Sequence, residues 1–346
     1  LLLEKLREDK RLWDLFTRRE EYNPRFTDRY RRFNYFLSGN RNIFEPEVSQ
    51  YLIDRGLKIE YPEARKFAVC LTHDVDNVFF TRRGLVIQWV DALRGKNIAG
   101  AFKILLYNRS RNLNPLRNFK DIIRLEKKYN AESSFYFLAL EKGEDDFNFR
   151  IENLKTDLQN IVNSGYEVGL HGGHNAYNDM NVILEQKKRV EEVLGGKITG
   201  YRNHYLRFEV PTTWEFLRKA GFKYDTTFGY ADCVGFRNGL CHPFKPYNLK
   251  TEEFIDIIEI PLVIMDRTLD SYMKLNIMDS LTLVKSLIDT VERLNGAVAI
   301  LWHNTDMTGE RLRLYEQILS YCSNKGAWLT SARALYEWWT QKNPMI

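Results

Sequence analysis

From Phe67 to the C-terminal region the chain alternates short β-rich runs with helical segments, and this alternation limits its fold more than any other feature. The runs read as strands at 67–72, 133–139, 166–170, 198–202, 222–225, 254–263 and 298–302, with a weaker one at 327–329. Helical patterns lie between them at 119–129, 151–163, 182–194, 211–220, 278–294 and 309–323, each of crossover length. Gly165, Gly221, Gly296 and Gly326 follow four of these, as helix-ending glycines do, shortly before the next strand. About seven β/α units predict an α/β barrel of the TIM type, which typically takes ~250 residues. A doubly wound open sheet is the alternative. Residues 1–66 read as a helical N-terminal extension: Leu3, Leu6, Trp13 and Phe16 fall near one stripe, and Glu45-Pro46-Glu47 opens a second helix. The barrel domain then covers 67–346.

Composition narrows the class. In 346 residues, 44% apolar and 28% charged are ordinary for a soluble globular protein, and the net charge is only +5. The first thirty-five residues hold ten Lys and Arg against seven acids, interleaved with aromatics. With so many acids this reads as a solvated helical face instead of a nucleic-acid or lipid contact. Cys70, Cys233, Cys241 and Cys322 form no C-x-x-C pair and read as reduced structural thiols. No apolar run approaches the ~20 residues of a membrane span, and the first ten residues do not read as a signal peptide. The expectation is a cytoplasmic protein.

A barrel should carry its chemistry just beyond its strands, at one rim. Here the first strand runs into Thr72-His73-Asp74-Val75-Asp76, and the third into His171-Gly172-Gly173-His174. The fourth runs into Arg202-Asn203-His204-Tyr205, the fifth into Asp225-Thr226-Thr227, and the seventh into His303-Asn304. Five of the six histidines fall at these ends, and His242 is the exception. Each has an ordinary reading alone, as cap, turn former or satisfied core histidine. Together they suit a metal-assisted hydrolase. Asp76, His171 and a second histidine make a three-ligand set with a position left open on a divalent metal. Zinc suits that set, while cobalt, nickel and manganese fit by ligand type too. Asp74 is then placed as general base and His303 as general acid.

These motifs resemble those of the polysaccharide deacetylases of the NodB-homology type, carbohydrate esterase family 4, over about 67–335. The resemblance implies an irregular (β/α)7 TIM-like barrel and removal of an N-acetyl group from a sugar or polysaccharide. It implies Asp74 as base and Asp76 as metal ligand, in the D-x-D form of a subset of the family. His171 and His174 would be the metal histidines, Arg202 would hold the base, and the Tyr205 backbone N–H would help bind the oxyanion. Asp225 would tune His303, the general acid, and Leu301 would line a pocket for the acetyl methyl. The family spaces its metal histidines four apart, whereas here they are three apart and Asn175 stands at the usual position. The expectation is that the Gly172-Gly173 loop brings His174 to the metal. The third motif carries Asn203-His204 where the family often has prolines.

A long loop from Gly235 to Tyr247 adds Arg237 which, with Trp302, is a candidate for stacking on or hydrogen-bonding a sugar. The expected partner is an N-acetylated glycan, in bacterial surface-glycan biosynthesis. Two alternatives stay open: hydrolysis of another amide on the same barrel, or an inactive glycan-binding relative.

Overall fold

The computed structural model describes residues 2–342, so Leu1 of the expected extension and residues 343–346 of the expected barrel domain lie outside the described residues. In chain order the strands are β1 (Phe67–Val75), β2 (Ser134–Leu138), β3 (Glu167–Gly172), β4 (Gly200–Asn203), β5 (Tyr224–Asp225), β6 (Tyr247–Asn248), β7 (Glu253–Phe254), β8 (Ile258–Glu259), β9 (Leu262–Met265), β10 (Ala297–Leu301) and β11 (Ala327–Thr330). β6 and β7 form a small antiparallel pair. The rest make one parallel sheet in the order β8-β5-β4-β3-β2-β1-β10-β9. One edge of β1 pairs with β10, and the other pairs first with β11 and then with β2.

The two ends of this sheet belong to one stretch of chain. β8 pairs with β5 and β9 with β10, and only Ile260 and Pro261 separate β8 from β9. Ile260 N–H donates to the Asp225 carbonyl, and Ala299 N–H to the Pro261 carbonyl. The curled sheet therefore closes through residues 258–265, as an irregular seven-unit barrel. The single strand expected at 254–263 is broken into three pieces, and the break between β8 and β9 falls at Pro261, which has no N–H to give a continuous ladder.

Every residue of β1 is buried, which explains its near-continuous apolar run. The helices expected between strands are present, among them Phe119–Lys127, Lys155–Asn163, Met180–Leu194, Thr212–Lys219, Ile277–Arg293 and Gly309–Asn324. Two more were not expected: Arg82–Arg94 and Ile98–Leu106 form a hairpin between β1 and β2. Their apolar residues are spread around each helix, so no single stripe marks them.

The extension holds the helices Lys10–Thr17, opened by Asp9 accepting the Leu12 N–H, and Glu47–Asp54. Leu3, Leu6, Trp13, Phe16, Val48 and Leu52 are buried in the same core as β1. Val48 N–H donates to the Gly239 carbonyl and Phe236 N–H to that of Ile43. Gly239 has φ 73°, and a Cβ there would lie 2.9 Å from both Leu15 and Val48, so this close approach requires glycine.

Candidate active site

β-strand side chains alternate faces, so Thr72, Asp74 and Asp76 share one face of β1 and its extension while His73 takes the other. His73 is buried against the helix Phe119–Lys127, with Nε2 2.8 Å from Glu126 and Nδ1 2.8 Å from the Trp302 carbonyl. It is structural. The opposite face meets Arg202 of β4, whose Nη2 donates to Thr72 Oγ1 at 2.9 Å and whose Nη1 lies 3.7 Å from Asp74 Oδ1. That cation is fully buried with Nε bonded to Thr226. It lies beside Asp74, whose Oδ1 is buried without a hydrogen-bond partner.

Three potential ligand atoms converge beside it. His171 Nε2 lies 3.2 Å from Asp76 Oδ1 and 3.1 Å from His204 Nδ1, and His204 Nδ1 lies 3.7 Å from Asp76 Oδ1. Each ring's other nitrogen faces an acceptor. His171 Nδ1 is 3.1 Å from the Arg202 carbonyl, and His204 Nε2 is 3.4 Å from Asp146 Oδ2. With protons on those outer nitrogens, the form a bound cation requires, both inner nitrogens would direct lone pairs at the point that Asp76 Oδ1 also faces. Asp76 Oδ1 is buried with no hydrogen-bond partner. Burial alone would raise the Asp76 carboxyl, but His204, His171 and His303 around it hold it far below the usual range. A carboxylate and two oriented imidazoles at this spacing fit a divalent cation.

The second histidine of this set is His204, where the sequence had suggested His174. β3 ends at Gly172, where a Cβ on Gly172 or Gly173 would collide with Tyr201 or with Leu140 and Gln186, and the chain then turns, with Ala176 N–H donating to the Gly173 carbonyl at 3.0 Å. This carries His174 away from the cluster. Its ring packs edge-on to Tyr205, 5.6 Å between centroids, and its carbonyl accepts from Arg207. Asn175 Oδ1 likewise accepts from Arg207. β3 and β4 are in register at His171↔Arg202 and Gly172↔Asn203, so His204 emerges one residue later at the same rim.

On the far side of Asp76, His303 Nε2 lies 3.7 Å from Oδ2. Its Nδ1 is 2.7 Å from Oδ1 of Asp266, whose Oδ2 accepts the His303 backbone N–H at 2.7 Å. Burial by itself would lower the imidazole, but Asp266, with Asp76 and Asp74 beyond, raises it to about 10. Asp306 completes a second acidic group, yet Arg267 and Arg311 pair with it and neutralise it, which makes it a charge network and not a cation site.

Asp225, expected to tune His303, sits elsewhere. It is buried in the barrel wall, in register with Glu259, and accepts from Thr227 Oγ1 at 2.6 Å. Burial and the neighbouring Asp225 push the Glu259 carboxyl well up, so this pair keeps a proton within the wall. Three expected substrate contacts are also packed away. Leu301 is buried in β10, and Trp302 is buried against Tyr315 at 5.3 Å. Arg237 is buried in an ion pair with Glu21, Nη2 to Oε2 at 2.5 Å, and stacks on Phe228.

The cluster opens into a cavity of about 530 Å³, lined by Asp74, Asp76, His204, Tyr205 and His303 among others. Sequence reasoning missed several of its groups. Arg32 comes from the extension, donates to the Tyr205 carbonyl at 2.8 Å and to Tyr272 Oη at 3.0 Å, and lines the cavity. Tyr30 stacks on the Tyr205 ring at 4.7 Å, supporting a residue held at φ 59°. Asp146 comes from the loop after β2 and Tyr272 from the segment after β9. Asp266 carries a signal in the sequence, an acid one residue past an apolar run, but lies beyond the strand expected at 254–263.

No protein-family profile matches the chain. Among curated proteins, a peptidoglycan deacetylase of Helicobacter pylori is 26% identical over 158 residues, 40% of this chain and 50% of that protein. The aligned part thus spans about half the length of this curated relative. Among solved structures, a Mycobacterium smegmatis protein assigned as a polysaccharide deacetylase overlays with a TM-score of 0.57 at 16% identity, covering 82% of this chain and 93% of that one. Among the described residues, no helix is long and apolar enough to cross a membrane. The chain has the irregular barrel fold of the polysaccharide deacetylases, with its acids and histidines gathered at the C-terminal rim of that barrel.

Proposed function

We propose that the protein is a metal-dependent hydrolase that removes an N-acetyl group from a sugar or polysaccharide, in the biosynthesis of a bacterial surface glycan. The observation that carries this reading is the position of Asp76, His171 and His204, with Asp74 on one side and His303 on the other. Asp76, His171 and His204 would hold the cation, with zinc the best match to one carboxylate and two imidazoles. When bound, a divalent cation there supplies Lewis-acid polarisation of the amide carbonyl and makes a nearby water more acidic.

The remaining work falls to protein groups. Asp74, whose Oδ1 lies beside Arg202 and whose Oδ2 faces His171, takes a proton from the attacking water at its carboxylate. The water oxygen adds to the acetamide carbonyl carbon. Tyr205, at the cavity wall with φ 59°, would offer its backbone N–H to the oxygen that becomes negative. His303, protonated because of Asp266, gives its proton to the amine as the C–N bond breaks, leaving acetate and a free amino sugar.

The test is acetate release from a panel of N-acetylated oligosaccharides, before and after chelation, with each divalent metal added back. Chelator-sensitive release restored by a metal is the expected result. Stoichiometric metal binding without release of acetate, or of another acyl group from the same sugars, would overturn the proposal.

A further inference from the structure

We infer that the hairpin of helices Arg82–Arg94 and Ile98–Leu106 docks the protein on an anionic lipid bilayer, placing the catalytic cavity at the membrane surface. This goes beyond the proposed reaction and holds independently of it. Sixteen large hydrophobic side chains are exposed among the described residues, and half of them lie between Val86 and Leu106. Phe102 is 68% exposed, Ile98 64% and Val86 59%. No residue of the first helix is buried, and in the second only Ala101 and Ile104 are. Exposed apolar surface concentrated in this one hairpin marks a contact site.

Charge selects the occupant. Between 82 and 109 there are six basic residues, Arg82, Arg83, Arg94, Lys96, Lys103 and Arg109, against the single acid Asp91. The excess of five equals the net charge of the whole chain. Protein interfaces deplete lysine, though not arginine, at their centre. Cations interspersed with exposed Trp, Phe, Ile and Leu instead match a helix lying in the headgroup region of an anionic membrane. The first helix has 13 residues, or about 20 Å at 1.5 Å per residue, well short of the ~30 Å hydrocarbon core. It can lie on the bilayer but not cross it.

The hairpin is fixed to the cavity lip. Asn108 accepts from the Phe80 N–H at 2.9 Å and donates to the Phe80 carbonyl at 2.7 Å, clamping both ends of the hairpin together. Asn148 accepts from the Val78 and Phe79 N–H groups, both at 2.9 Å. Thr81, Asn148 and Asp76 line the same cavity, so a bilayer under the hairpin lies next to the catalytic groups.

The test is flotation of the intact protein with phosphatidylcholine vesicles, with and without phosphatidylglycerol. The expected result is flotation with the anionic vesicles at low salt and little with the neutral ones. Phe102→Ser combined with Leu105→Ser should lower binding about tenfold or more. Arg82→Glu with Arg83→Glu should abolish the preference for phosphatidylglycerol. These side chains are exposed, so the melting curves should not change. As an independent readout, Phe102→Cys can be labelled with a polarity-sensitive dye, because the four native cysteines are buried. Its emission should shift to the blue with anionic vesicles. Absence of flotation, flotation unaffected by both double variants, or a wild-type dimer that Phe102→Ser/Leu105→Ser dissociates without any vesicle binding would each overturn the inference.

Discussion

Oδ1 of Asp266 lies 2.7 Å from Nδ1 of His303, and the same carboxylate accepts the His303 backbone N–H, so ring and main chain are held by one group. Asp266 therefore sets both the orientation and the charge of the imidazole. With Asp266→Asn the imidazolium loses its stabilising anion and its pKa falls from about 10. A reaction needing protonated His303 then fails at lower pH. The expected result is a kcat reduced by roughly 10²-fold or more, little change in KM, and an alkaline limb displaced to lower pH. An unchanged pH-rate profile would show that His303 is not the acid.

Metal content separates the two candidate histidines. His204→Ala should lose the stoichiometric cation, while His174→Ala should keep it, because only His204 directs a ring nitrogen to Asp76 and His171. Asp74→Asn should keep the metal and lose turnover by about 10²–10⁴-fold, the range for a removed general base. Elemental analysis after dialysis, together with acetate release, reads all three variants.

Arg237 is expected to matter for stability and not for substrate. Its ion pair with Glu21 joins the extension to the barrel, and both side chains are buried. Arg237→Ala leaves the Glu21 charge without that partner, although Arg18 still contacts it at 2.8 Å. Removing one member of such a pair costs about 3–5 kcal/mol. Denaturant titration should show the lower midpoint, and KM should be unchanged in the folded fraction.

His242 predicts acid sensitivity. It is buried between Ser49 Oγ, 2.8 Å from Nδ1, and the Leu294 carbonyl, 3.2 Å from Nε2. Burial lowers its pKa from 6.5 to about 4. A depressed pKa means that the unfolded chain binds the proton more readily. The contribution is thus fully present above about pH 6.5 and is lost as pH falls toward 4. Across that window it amounts to roughly 3 kcal/mol at most. His242→Gln should flatten the loss of stability between pH 7 and 4, measured by urea unfolding at each pH.

The rim was legible because a buried parallel strand ends in polar residues only where the barrel opens. Thr72 to Asp76, His171, Arg202 to Tyr205 and His303 all follow that rule, and the structure gathers Asp74, Asp76, His171, Arg202, His204 and His303 within ion-pair or hydrogen-bond reach. Which second histidine joins Asp76 was not legible from motif spacing, because it depends on strand register and on the turn after Gly172. Arg32 and Tyr30 were hidden for a different reason. They reach the cavity from about 170 positions away in sequence, a distance that no local pattern encodes. Arg237 looked like a loop residue free to bind sugar, and only its pairing with Glu21 shows otherwise.

Residues 258–265 act as a molecular ruler. At one end Glu259 is fixed against Asp225, and one residue past the other end Asp266 is fixed against His303. A deletion or insertion of one residue between them would move Asp266 out of phase with β10 and turn its carboxylate from the cavity. The stretch should accept changes of side chain far more readily than changes of length. The opposite holds at the tip of the 82–106 hairpin, where Gly95, Lys96 and Asn97 are all exposed and carry no strand register.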